Sequence, residues 1–209
     1  MSALTNFASN KFIDVLRGQA SGVPATWYFG LIVATKGLWA AGTVYAIGDT
    51  VVTGSPTNNR VYKCTVAGTS GATAPVWPTA NAGTVVDNTV TWQEQTTAME
   101  AGTFTEASYT GYARAAVAAS LTALAGTQGA GTTVASSGTS GQTSNNATIT
   151  FGTAPTSTQT GLVVGVAVFD AQTAGNPWIF EIGNTPVQVI NGATAPTITA
   201  GGWTFTYVP

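Results

Sequence analysis

The chain contains no histidine and a single cysteine among 209 residues. Without an imidazole, Ser-His-Asp and Cys-His nucleophilic catalysis are excluded, and Cys64 alone gives neither an intrachain disulfide nor a zinc site. Cys64 reads as a small buried hydrophobe in a protein made in a reducing cytosol. Charge is scarce too. Only 7% of residues are charged, against about 25% in an ordinary soluble domain, so the polar surface must be built from Thr, Ser, Asn, Gln and backbone. Six basic residues, scattered singly in a chain of net charge −2, leave no footprint for nucleic acid. No apolar run approaches the ~18 residues of a membrane span, and the N-terminus lacks the pattern of a signal peptide.

Thr suits strands and Gly punctuates turns, so the composition predicts an all-β fold. Its centre is Leu162–Phe169 (Leu-Val-Val-Gly-Val-Ala-Val-Phe), eight apolar residues suited to a strand buried on both faces. Gly165 in its middle leaves room for a neighbouring backbone or a bulky facing side chain. A turn at 174–177 leads to Trp178, Ile179 and Phe180 in the next strand. So apolar a hairpin needs a covering layer, which predicts a β-sandwich, jelly-roll-like.

Leu4, Phe7, Ala8, Phe12, Val15 and Leu16 recur at helical spacing, predicting one N-terminal helix over 4–17 with Ser2 as its N-cap and Gly18 as its stop. Such a helix either packs on the end of the sandwich or anchors into a neighbouring subunit. Residues 24–33 read as the first strand. The texture changes over 39–95, which carries its own aromatics and turns, and strand-like sequence resumes over 109–117. This predicts a small β module (39–95) projecting from a loop of a β-sandwich domain (1–38 and 96–209). A polar run over 127–146 reads as a long loop or a loose strand pair. Further strands are expected over 147–151, 187–190 and 203–208, with Trp203, Phe205 and Tyr207 alternating onto one face.

Little in the chain offers catalysis or metal binding. Glu94, Glu100 and Glu106 stand six residues apart in a linker-like stretch and read as solvated, without the paired carboxylates of a glycosidase. Asp87 and Asn88 could offer oxygens to calcium but lack EF-hand spacing. No metal and no cofactor are expected. Sugar recognition needs no charge, because the apolar face of a pyranose stacks on Trp or Tyr. Trp39, Tyr45, Tyr62, Trp77 and Trp92 are the candidate glycan-binding residues. Two or three of them are expected to fill the core of so small a module, and Trp77, between Pro75 and Pro78, is the one expected to be exposed.

Several pieces of the chain resemble, in order and spacing, a family of small bacteriophage virion proteins described as tail-fibre-like. They are Leu-Thr-Asn-Phe at 4–7, Asp-Val-Leu-Arg-Gly at 14–18, Pro-Ala-Thr-Trp-Tyr-Phe-Gly-Leu at 24–31 and Gly-Tyr-Ala-Arg-Ala-Ala-Val at 111–117. Gly-Val-Ala-Val-Phe-Asp-Ala at 165–171 and Ile-Asn-Gly-Ala-Thr at 190–194 complete the set. The resemblance implies a β-rich, non-enzymatic component of the virion that touches other virion proteins, whether tail or capsid subunits, and copies of itself, as a trimer. The insert resembles the small chitin- and cellulose-binding modules of bacterial glycosidases, through Trp39, Tyr45, Gly48-Asp49-Thr50-Val51 and Tyr62-Lys63, with Trp77 and Trp92 following. It departs from them in a longer middle, 68–88. Together the two resemblances imply a tail-fibre-like appendage contacting host-surface glycan. The alternatives are a capsid decoration (cement) protein on the phage head and an accessory domain of a glycan-active enzyme.

Overall fold

The computed structural model describes residues 2–20, 22–54 and 56–206. The chain begins with β1 (Ser2–Leu4), α1 (Asn6–Leu16) and β2 (Thr26–Ala34). Residues 39–95, called the insert below for their place between β2 and α2, contribute β3 (Val44–Tyr45), β4 (Thr50–Val51), β5 (Tyr62–Val66), β6 (Gly68–Thr69), β7 (Thr84–Asp87) and β8 (Val90–Glu94). A short helix, α2 (Thr96–Glu100), leads back to β9 (Ala115–Ala118), β10 (Gln142–Ser144) and β11 (Ile149–Thr150). The chain ends with β12 (Leu162–Phe169), β13 (Pro177–Val187), β14 (Thr197–Ile198) and β15 (Thr204–Thr206).

The main sheet is antiparallel with strand order β1-β13-β12-β2-β9, and β12 and β13 form the expected hairpin. Alternation along β2 sends Phe29, Leu31 and Val33 to one face and Ile32 and Ala34 to the other, and both sets are buried. On β12 the alternation skips a residue. Val163 pairs with Val33 and Gly165 with Ile32, so Val164 is a bulge that keeps Val166 and Val168 on the face of Phe29. Gly165 is required by packing: a Cβ there would overlap the Glu181 carbonyl oxygen and approach Ile182 Cδ1 to 2.9 Å.

The first face is covered by Tyr109, Phe151, Val189 and Trp203, which arrive on loops and on the two-stranded pairs β10–β15 and β11–β14. The fold is thus all-β and sandwich-like, but this layer is looser than a jelly roll's second sheet. The opposite face is covered by Val52 and Val61 of the insert and by Met99 of α2. The insert therefore does not project freely. It lies on the sheet, and Thr57 ties it there through its N–H to Asn184 O (2.9 Å) and its hydroxyl to Gly183 O (3.0 Å).

Several boundaries move from their expected places. Thr5, not Ser2, caps α1, its hydroxyl oxygen accepting from Ala8 N. Ser2 and Leu4 belong to an edge strand instead, because their backbone finds partners on β13. Strand structure over 109–117 is confined to β9, since Tyr109 closes a turn onto Tyr112. Nor do 187–190 form a strand of their own, since β13 ends at Val187. Trp203 and Phe205 share a face as expected, while Tyr207 lies outside the described residues.

Candidate functional site

The insert is organised by an antiparallel sheet of order β4-β5-β8-β7, with β3 and β6 paired beside it. Inward positions on β5 and β8 place Tyr62, Cys64, Val90 and Trp92 in one core with Tyr45 and Val51. The five candidate aromatics are brought together here, but not as a platform. Tyr45, Tyr62 and Trp92 are fully buried and have no face left for a sugar. The module is too small to fill its centre without them.

Their contacts are specific. Tyr45 meets Trp92 edge-on at 4.8 Å, and its hydroxyl accepts from Ala40 N. Tyr62 packs on Trp77 at 4.4 Å, donates its hydroxyl to Pro78 O (2.8 Å) and accepts from Asn58 Nδ2. Burial raises the Tyr45 and Tyr62 phenols above their ordinary value. Cys64 is likewise raised by burial, with the nearby Asp49 charge adding to it, so its thiol stays protonated and unreactive.

Trp39 and Trp77 are half-buried at the rim of this core. Trp39 donates its indole N–H to Asp87 Oδ2 at 2.8 Å. Trp77 leans on Tyr62 and, at 5.9 Å, on Trp92. Its indole nitrogen is buried with no hydrogen-bond partner among the described residues. The exposed residue of the Pro75–Pro78 loop is Val76, at 92%. Where the module meets the main sheet, a cleft of about 120 Å³ lies among Ile32, Thr50, Val61, Lys63, Met99 and Phe104, below the ~300 Å³ at which ligand sites begin.

The carboxylates have structural roles. Asp87 does not face solvent with Asn88. It accepts N–H groups from Trp39, Trp92 (3.1 Å) and Gly71 (2.8 Å), tying three segments together. Glu94, expected to be solvated, is fully buried. It pairs with Arg60 Nη1 at 2.9 Å and accepts from Ala82 N, Thr96 N and the Thr96 hydroxyl. Glu106 is partly buried as well, since Arg114 grips it through Nε and Nη2 (2.9 and 2.7 Å) and Tyr112 donates its hydroxyl to it. The Arg114 guanidinium lies 3.4 Å over the Phe169 ring and bonds the carbonyls of Ala171 and Ala174. Burial, then the Glu106 bond, pushes the Tyr112 phenol upward. Among the described residues no three His, Cys, Asp or Glu side chains gather as a metal site, and no helix is long and apolar enough to cross a membrane.

The family model of the podophage GP4 fiber I protein gp80 matches residues 93–206, just over half of the chain. The match begins at the end of β8, where the insert hands the chain back to the main sheet. No curated protein matches the chain. Strands β9 to β15, the loop-built covering layer and the Glu106–Arg114 pair lie within that matched span, and the chain belongs to the family of podophage GP4 fiber I protein gp80, as a fibre-like structural protein of the phage virion.

Proposed function

We propose that this virion protein is non-enzymatic and that residues 39–95 are an inserted module through which the particle adheres weakly to host-surface glycan. The observation that carries the reading is Trp77, an indole backed by Tyr62 on one side and only half-buried. Trp39, held by Asp87 on the same core, is the second partly open ring. One such stacking contact is worth about 1–2 kcal/mol by analogy with other aromatic pairs, so adhesion rests on many copies per particle. Residues 39–92 of the module lie outside the family match, as do residues 1–38.

The test uses intact particles carrying Trp77→Leu, which removes the ring but keeps apolar volume. Retention on chitin or on host envelopes should fall while the melting temperature of the purified protein moves by only a few degrees. Unchanged retention after deletion of 39–95 would reject the adhesion role. A second reading, capsid decoration, is favoured by the absence of a shaft among the described residues, where the longest helix has 11 residues. Labelling the protein in particles and imaging head against tail separates the two.

A further inference from the structure

Polar groups taken from water need partners, and one half-buried carboxylate of the main sheet has none. Of the eight Asp and Glu side chains, Asp14, Asp49, Asp87, Glu94, Glu106 and Asp170 each have an ion pair or a hydrogen bond. Glu100, at the end of α2, and Glu181 have neither among the described residues. Glu181 stands opposite Val166 in the β12–β13 ladder, so its side chain leaves the sheet on the face that Trp203 covers. Burial pushes its carboxyl above the ordinary value, with the amino-terminal charge opposing. A second orphan stands on the same face. The Trp203 indole nitrogen is buried without a hydrogen-bond partner among the described residues.

Glu181 and Trp203 border one cleft of about 190 Å³, between the main sheet and its covering layer. Gly165, Gly183 and Gly202 line it without side chains to fill it, and Val166 and Ile198 give it apolar walls. The cleft exceeds the ~150 Å³ that holds a benzene-sized group but not the volume that encloses a whole ligand. It therefore takes one six-membered ring, with the rest of the molecule outside. No basic side chain lines it, so an anion meets only the Glu181 charge. An ammonium would satisfy Glu181 and leave the indole without an acceptor. A ring hydroxyl can donate to the carboxylate and accept from an indole N–H, while the C–H face of the ring rests on the apolar walls. We propose that this cleft binds one neutral pyranose ring, the end of a longer glycan, and does so independently of the insert.

The test follows the Trp203 indole N–H resonance of the nitrogen-15-labelled full chain. Glucose, galactose, mannose and N-acetylglucosamine are titrated separately to about 100 mM, a range set by the millimolar affinity of a single ring. At least one sugar should shift the resonance saturably. Glu181→Leu should weaken that binding about tenfold or more, while its melting temperature holds or rises because an unpaired carboxylate has been removed. Trp77→Leu should leave the titration unchanged. No saturable shift with any of the four sugars overturns the proposal and leaves the cleft to water. So does a shift that survives Glu181→Leu, or a melting temperature that drops by several degrees in that variant, since Glu181 would then have a structural partner. A titration lost in Trp77→Leu places the sugar on the insert, and a stronger response to methylammonium than to any sugar assigns the cleft to a cationic group. Either result overturns the proposal.

Discussion

In the main sheet, β2 and β12 bury Val, Ile, Leu and Phe on both faces and need little else. In the insert, three fully buried aromatic rings fill a core of six buried residues. Buried carboxylates then cross-brace it, Asp87 holding two indoles and Glu94 holding Arg60 and the start of α2. A wide sheet covered on both sides gains enough from aliphatic burial. A small one has few interior positions, so each takes the largest ring available and its polar edge must then be satisfied from within. Abundant aromatics in a small module therefore indicate a core first and a binding surface second.

That contrast can be broken at the sheet with the largest effect. Gly165→Val would drive a side chain into the Glu181 carbonyl, and the chain should fail to yield soluble protein. Normal expression and unfolding would show that β12 and β13 can separate there at no cost.

Next come matched truncations, Phe29→Ala in the sheet and Trp92→Ala in the insert, each expected to cost about 3–5 kcal/mol. Because Val52 and Val61 of the insert share a core with Ile32 and Phe180, both variants should lower one common thermal transition. An early, separate transition in Trp92→Ala alone would make the insert an independent folding unit. Deleting 39–95 behind a short Gly-Ser linker should, by the same logic, leave a cooperative but less stable sheet.

A smaller effect distinguishes the carboxylates. Asp87→Asn replaces one of two acceptor oxygens that serve three N–H donors, and should cost about 1–3 kcal/mol in urea unfolding. An unperturbed midpoint would mean that Asp87 does not brace the module.

The smallest effect concerns Asp170 in the hairpin of the sheet. Burial alone would raise its carboxyl, but the Asn176 side chain and backbone and the Trp178 indole outweigh it and hold the carboxyl below its ordinary value. A depressed acid stabilises the fold above its unfolded pKa and loses that contribution as pH falls through its folded value. The gap between wild type and Asp170→Asn should thus be about 1 kcal/mol or less at pH 7, and should close below about pH 4. A gap that persists at pH 2 would contradict it.

What could be read in the sequence is what depends on local period. The β12–β13 hairpin, the β2 strand, the buried Cys64 and the tight approach at Gly165 all follow from alternation and from glycine's missing side chain. The edge strand β1 was invisible because its three residues pair with a segment more than 170 positions away. Glu94 and Glu106 read as solvated because their basic partners stand 34 and 8 residues off, and spacing in a loop does not reveal a fold-made ion pair. The candidate rings were found, but which of them face solvent is a property of packing. The flanking Pro75 and Pro78 pointed to Trp77, and the structure exposes its neighbour Val76.

The way the insert joins the sheet sets how it carries a mechanical load. The chain leaves the sheet at the end of β2 and returns alongside it, with Val33 N on Thr105 O (2.8 Å) and Ala107 N on Leu31 O (2.9 Å). Entry and exit are therefore adjacent antiparallel segments, closed by Glu106 and the Arg114 fork. Any pull on this segment loads both ends together and strains these few bonds one after another, as in opening a zipper. The Thr57 bonds to β13 share that load, and β2 passes it on to its long ladder with β12. Under tension the insert can give way and re-seat while the framework keeps its shape.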